Sequence, residues 1–227
     1  MKRIDFHAHV LPGADHGSKD LEVSLRQLQG AKSVGVETIV ATPHYYGWKQ
    51  DLSDFLRIRK QTWDLLQPEA EALGIQIIPA AEVTLFQGLP ELSSLAELMI
   101  PNTSYLMLEM PMESWGNWVY TAIEKIISVH KILPIIVHVD RYPEKEVEKL
   151  LDWNLVYQIN AEAFQSIWKR RRFIQWVQQE RVQLLGSDVH GDDGKDYFAF
   201  DKALRLVGKS EEVLMNNARS IIAGREI

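Results

Sequence analysis

No cysteine occurs among the 227 residues. That excludes disulfide scaffolds, thiolate metal sites and a cysteine nucleophile, and it agrees with an expected cytoplasmic setting. No run of eighteen apolar residues is present, so no membrane-spanning helix is expected and the chain is not read as an integral membrane protein. The opening Met1-Lys2-Arg3-Ile4-Asp5 puts an acid where a signal peptide needs an apolar stretch. Positive charge is in deficit: 25 Lys and Arg stand against 31 Asp and Glu, a net charge of −6. This argues against a dedicated nucleic-acid binder. There is no low-complexity linker, no convincing internal repeat, and no glycine-rich fingerprint for a dinucleotide or a P-loop after the first strand. A chain this long buries a full core, and residues 1–227 are expected to form a single domain.

What is present is an alternation of strands and helices. Short apolar or β-branched runs predict strands over 4–10, 37–41, 76–80, 105–109, 132–139, 156–159 and 182–185. Helical patterns fill the gaps over 21–34, 52–73, 118–130, 144–151, 161–178, 196–206 and about 211–223, with Pro68 as a kink or break in the second. Such alternation implies a parallel sheet covered on both faces, either a closed barrel or an open doubly wound sheet. A barrel with fewer than eight units is the preferred reading.

In these folds catalytic groups gather at the C-terminal ends of the strands. The first strand ends Asp5-Phe6-His7-Ala8-His9. Residues two apart on a strand share a side, so His7 and His9 converge, and two imidazoles there suit a divalent metal. The later strands deliver His44, Glu82, Glu109, His138 and the pair Asp188 and His190, each after apolar residues. Clustered carboxylates repel unless cations lie among them. His16, in the loop after the first strand, is able to swing toward the same mouth, whereas His130 ends a helix and is excluded. Asp5 shares the face of His7 and His9 and reads as a hydrogen-bond acceptor behind them. Trp115, Trp118, Tyr45 and Tyr46 are read either as flanking a substrate ring or as packing residues, and Lys169-Arg170-Arg171-Arg172 either as a binding site for a phosphorylated tail or nucleic acid or as a solvated helix face.

Six segments resemble, in order, the PHP (polymerase and histidinol phosphatase) superfamily, and within it the bacterial capsular and exopolysaccharide tyrosine-protein phosphatases of the CpsB/YwqE type. They are Ile4-Asp5-Phe6-His7-Ala8-His9-Val10-Leu11-Pro12-Gly13, Thr38-Ile39-Val40-Ala41-Thr42-Pro43-His44, Ala81-Glu82-Val83, Leu108-Glu109-Met110, Val137-His138-Val139-Asp140-Arg141-Tyr142 and Ser187-Asp188-Val189-His190. The resemblance implies an α/β fold, a distorted TIM-like (β/α)7 barrel, holding three divalent metal ions, Mn²⁺ with Fe²⁺ or Zn²⁺ as alternatives. It assigns His7, His9, Glu82 and Asp188 to one metal. Glu82 bridges to a second, completed by Glu109 and His138. His44, His190 and the residue at position 16 take the third.

Two departures stand near these sites. The related phosphatases have consecutive acids where this chain has Asp15-His16, so His16 replaces a carboxylate, and their His-x-Glu-Arg-Tyr appears with Asp140. The resemblance implies catalytic roles for Arg141, Asp188 and His44, and substrate binding by Arg141 and by Lys195, which stands in for an arginine. Arg141 offers phosphoryl oxygens a forked contact, whereas Lys195 offers a point charge. The implied activity is metal-dependent hydrolysis of phosphotyrosine on a bacterial tyrosine kinase that controls polysaccharide synthesis. A homo-oligomer is compatible with it. The alternatives are a small-molecule phosphoesterase, for example on histidinol phosphate, and a metal-binding regulator without catalysis.

Overall fold

The computed structural model describes residues 2–191 and 195–227, with the backbone alone at Lys195. Strands β1 (Arg3–Ala8), β2 (Val36–Ala41), β3 (His44–Tyr45), β4 (Gln76–Pro79), β5 (Glu82–Thr84), β6 (Tyr105–Glu109), β7 (Leu133–Ile136), β8 (Val156–Asn160) and β9 (Leu184–Gly186) all pair in parallel. They build a three-stranded run β1-β2-β4 and a six-stranded run β3-β5-β6-β7-β8-β9. The two runs join because β3 follows β2, and β5 follows β4, after only two residues. The interruptions fall at Pro43 and just after Pro79, residues that lack the N–H a ladder needs. Ala80 N still donates to Ala41 O (2.8 Å) and Glu82 N to Pro43 O (3.1 Å) across them. The β9 end returns to β1 through Asp188 N to His7 O (2.8 Å) and His9 N to Val189 O (3.3 Å). Counting β2 with β3, and β4 with β5, as single broken strands, the sheet curls into the expected distorted seven-stranded barrel.

Helices α1 (Leu21–Ser33), α2 (Leu52–Ala72), α3 (Asn117–His130), α4 (Glu144–Leu150), α5 (Arg170–Gln178), α6 (Lys195–Val207) and α7 (Ser210–Ile222) are connected through the strand ends. Local chemistry sets their limits. Asp20 caps α1 by accepting from Val23 N (2.9 Å), and Gly35 follows it at φ 79°. Pro68 does not break α2, which continues through it and buries Phe55, Leu66 and Ala70. Its packing outweighs the lost hydrogen bond. The single helix expected over 161–178 is instead a 3-10 segment, Ala161–Gln165, and then α5, parted by a loop at Ser166 that leads outward past Ile167 and Trp168. Phe6, Leu28, Ile39, Leu66, Leu106 and Ile135 are fully buried, each contributing roughly 1.5–3 kcal/mol of transfer free energy. Arg3 ties the base of β1 to Asp201 of α6 and Glu211 of α7, both at 2.8 Å. Among the described residues no helix is long and apolar enough to cross a membrane.

Candidate metal centre

Barrel closure brings the strand ends together around Glu82. His44 and Glu82 are register partners in β3 and β5, and Thr84 pairs with Glu109 two residues on. The buried Glu82 carboxylate faces four imidazoles from the ends of three strands. Its Oε2 lies 3.1 Å from His7 Nε2, 3.1 Å from His9 Nε2 and 3.3 Å from His44 Nδ1, and its Oε1 lies 2.5 Å from His138 Nε2. Asp188 Oδ1 joins from the opposite side, 3.3 Å from His9 Nε2 and 3.5 Å from His7 Nε2. His138 and Asp188 both carry positive φ, 56° and 54°. Such left-handed backbone on residues other than glycine is costly and collects at functional sites.

Three sets of donor atoms lie within 4.8 Å of one another: His7, His9, Glu82 and Asp188; His44, Glu82 and Glu109; and His9, His44 and His190. These sets contain seven of the nine ligands expected from the sequence; His138 is outside them but reaches Glu82 through the other carboxylate oxygen. His16 belongs to none of them. It is exposed at the rim, and its ring stacks on His44 at 4.7 Å and 9°. The acid beside it enters the site instead: Asp15 Oδ2 lies 2.7 Å from His9 Nδ1.

Further residues orient the ligands. His138 Nδ1 donates to Asn160 Oδ1 (3.1 Å), and Asn160 Nδ2 donates to Asp188 Oδ2 (2.9 Å). Gln158 Nε2 donates to the same Asn160 oxygen (3.0 Å), and Gln158 Oε1 accepts from His138 N (3.0 Å). Thr84 donates to Glu109 Oε2 at 2.5 Å. With Nδ1 of His9, His138 and His190 each turned to a protein oxygen, their Nε2 atoms are left for the centre. Gln158 and Asn160 were legible as a polar pair two apart on an otherwise apolar strand; Thr84 and Asp15 carried no comparable signal. Asp5 lies behind the site as an acceptor, taking hydrogen bonds from Ser187 Oγ (2.6 Å), Ser187 N (2.8 Å) and His7 N (3.3 Å).

Charge is balanced among these groups. Burial raises Glu82 and Asp188, but the neighbouring imidazoles outweigh it and hold both carboxyls well below their usual range. Burial lowers His138, yet Glu82 carries it up to about 9. His44 is pushed down to about 3 by burial and by the cationic His9, and burial together with the nearby Glu82 raises Glu109. Asp188 Oδ1 and His44 Nδ1 are buried without a hydrogen-bond partner. Carboxylates and imidazole nitrogens packed at these distances, two of them orphaned, fit hard-to-borderline divalent cations.

Arg141 stands at the rim, with Nη2 2.6 Å from Asp188 Oδ2. Tyr46 stacks on His44 at 5.1 Å, whereas Tyr45 packs against Phe55 at 5.2 Å. Trp115 is a packing residue, buried edge-on against Tyr142 at 5.6 Å. Trp118 borders a separate hollow with Glu91 and Lys125. His130 ends α3, its ring bonded to Pro90 O (2.8 Å), away from the centre. The side chain of Lys195 lies outside the described residues.

The family model for capsular polysaccharide synthesis proteins CpsB/CapC matches residues 3–223. The tyrosine-protein phosphatase CpsB of Streptococcus agalactiae is 25% identical over 99% of this chain and 100% of its own length. The tyrosine-protein phosphatase YwqE of Bacillus subtilis is 23% identical over 82% of this chain and 77% of its own length. Crystal structures of YwqE from Bacillus subtilis and CpsB from Streptococcus pneumoniae, described as metal-dependent tyrosine phosphatases, provide a fold match with TM-score 0.83 at 19% identity, covering 99% of this chain and 96% of the matched one. A TatD-like protein from Archaeoglobus fulgidus has the same general fold at TM-score 0.59 and 14% identity, over 97% and 100% of the two chains.

Proposed function

This chain belongs to the CpsB/CapC family of capsular polysaccharide synthesis proteins, and we propose that it is a metal-dependent phosphatase that hydrolyses phosphotyrosine on a protein. The substrate we infer is a tyrosine kinase that controls capsule or exopolysaccharide synthesis. The observation that carries this reading is the convergence of His7, His9, His44, Glu82, Glu109, His138, Asp188 and His190 beside Arg141.

We assign His7, His9, Glu82 and Asp188 to one divalent ion, and Glu82, Glu109 and His138 to a second. His44 and His190 would hold a third, with His9 nearby and His16 at its rim. Mn²⁺ is our first choice, with Fe²⁺ and Zn²⁺ compatible with the same donors. Bound there, such ions acidify water and draw charge from phosphoryl oxygens. The protein's own groups do the rest. Arg141 takes phosphoryl oxygens through its fork while Asp188 holds the guanidinium in place. Asp15, Asn160 and the Asp188 carbonyl keep three imidazoles turned toward the centre. A phenolate leaving group, with a conjugate acid near pKa 10, asks for little protonation. In a chain without cysteine no cysteinyl-phosphate route exists.

The rim favours a protein substrate over a small one. Trp48, Met112 and Trp168 are 56%, 47% and 95% exposed and lie in the connections that follow the C-terminal ends of β3, β6 and β8, and Phe198, 70% exposed, lies in the first turn of α6 after β9. Exposed apolar groups gathered round a polar centre mark a surface for a macromolecule. The test is a substrate panel on protein stripped with a chelator and then reconstituted with Mn²⁺. Phosphotyrosine peptides should turn over only after reconstitution, and faster than phosphoserine peptides or histidinol phosphate. A preference for histidinol phosphate by orders of magnitude would replace this reading with a small-molecule phosphoesterase.

A further inference from the structure

The loop that parts Ala161–Gln165 from α5 begins a surface strip that leads out from the candidate site. Ser166 and Lys169 line a hollow of about 280 Å³ together with Arg141, Asp140, Glu162 and Phe173. Arg141 therefore faces Asp188 on one side and this hollow on the other. Beyond the hollow, Ile167 and Trp168 are 71% and 95% exposed, more so than any other large apolar side chain among the described residues.

The cations that follow differ in their partners. Arg172 pairs with Glu144 and lies over the rings of Phe173 and Trp176, at 5.2 and 5.1 Å. Lys169, Arg170 and Arg171 have no carboxylate partner among the described residues, and Lys169 and Arg171 are exposed. No acid occupies the first turn of α5. Cations placed at the positive end of a helix oppose its dipole. In a chain of net charge −6, three adjacent cations left unpaired at a site rim gain from an anion that arrives with the substrate.

We propose that Trp168, Lys169, Arg170 and Arg171 form a docking strip for the segment of a substrate protein that adjoins its phosphotyrosine, and that this segment carries further anionic groups, either acidic side chains or a second phosphotyrosine. The inference rests on the phosphotyrosine-protein reading of the site. Lys169 borders the hollow that Arg141 enters, so a peptide whose phosphate meets Arg141 continues onto the strip. Arg170 and Arg171 then meet its charges, and Trp168 offers a ring face for an aromatic or aliphatic neighbour. This continuity with the site, together with the charge complementarity, favours a peptide over an anionic lipid surface.

The test compares two phosphotyrosine peptides that differ only in their flanking residues, four acids in one and four serines in the other, on Mn²⁺-loaded protein. The wild-type chain should show kcat/KM about tenfold or more higher for the acidic peptide, mainly through KM, and 0.5 M salt should erase the preference. In Arg170→Ala/Arg171→Ala the ratio should fall to near one, and Trp168→Ala should raise KM for both peptides. Equal rates on the two peptides with good turnover would overturn the docking strip and leave the phosphatase reading standing. Turnover of neither peptide would overturn the phosphatase reading itself. Sedimentation with phosphatidylserine vesicles that is lost in Arg170→Ala/Arg171→Ala, with equal peptide rates, would replace the peptide by a membrane.

Discussion

Asp15 Oδ2 lies 2.7 Å from His9 Nδ1, and the same carboxylate accepts the backbone N–H of Gly17 and of His44, each at 2.9 Å. One acid in the first loop thus turns an imidazole toward the centre and anchors the neighbouring strand that carries His44. Burial raises this carboxyl, but His9 and the two amides outweigh it and hold it well below the carboxylate range. Asp15→Asn should weaken divalent-metal binding by about 10–100-fold with the fold intact. Calorimetric titration of the stripped variant checks this, and unchanged affinity would mean that Asp15 does not orient a ligand.

Gly186 is pressed against β1. A Cβ there would collide with His7 Cβ and stand 2.8 Å from Gln158 Nε2. Gly186→Ala therefore has to move either His7 or the Gln158–Asn160 chain that supports His138. The expected loss is about 1–3 kcal/mol, which lowers Tm by roughly 2–4 °C per kcal/mol in a chain of this size. Metal content should fall as well. A Tm within one degree of wild type would show that the contact relaxes freely.

Arg141 meets Asp188 at 2.6 Å while 39% of its side chain stays open to solvent. Arg141→Lys keeps the charge and removes the fork. Its kcat/KM on a phosphotyrosine peptide should drop roughly 10–100-fold, the scale of one charge-assisted hydrogen bond, with metal stoichiometry retained. Steady-state kinetics beside elemental analysis separates the two effects. Wild-type kcat/KM in the variant would remove Arg141 from the substrate site.

A pH dependence is expected far from the metals. Partial burial raises Asp201, but Arg3 and Arg205, at 2.8 and 2.7 Å, outweigh it and lower its carboxyl. A carboxylate depressed by folding stabilises the protein above its unfolded pKa near 3.9, and that contribution disappears as pH falls through the lower folded value. Asp201→Asn should then lower Tm at pH 6 by roughly 2–4 °C, for a partly exposed pair worth at most about 1 kcal/mol. The gap to wild type should close below about pH 4. A gap that stays constant across that range, followed by calorimetry at several pH values, would assign the effect to packing.

Strand positions and the clustering of acids and imidazoles at strand ends were legible in the chain because each follows from a local rule. Apolar runs bounded by helical patterns locate the strands, and the two-residue period of a strand puts His7 beside His9 and makes Asn160 share a face with Gln158. The loop residues were less legible. Asp15 and His16 are adjacent, and nothing in their spacing tells which one turns inward; only the folded loop shows Asp15 bonded to His9 and His16 stacked outside on His44. The breaks at Pro43 and after Pro79 fall at residues whose missing N–H is itself written in the chain, whereas the division of residues 161–178 depended on packing rather than on propensity.

By itself, then, the sequence determined which side chains end each strand, that thiol chemistry is absent, and that carboxylates and imidazoles recur at the strand ends. The tertiary structure alone decided that Glu82 is the hub, since His7 lies 75 residues and His138 56 residues from it in the chain. Periodicity orients a side chain about its own strand axis. Distances between strands are set by how the barrel staggers and closes, and that is a property of the whole sheet and not of any one segment.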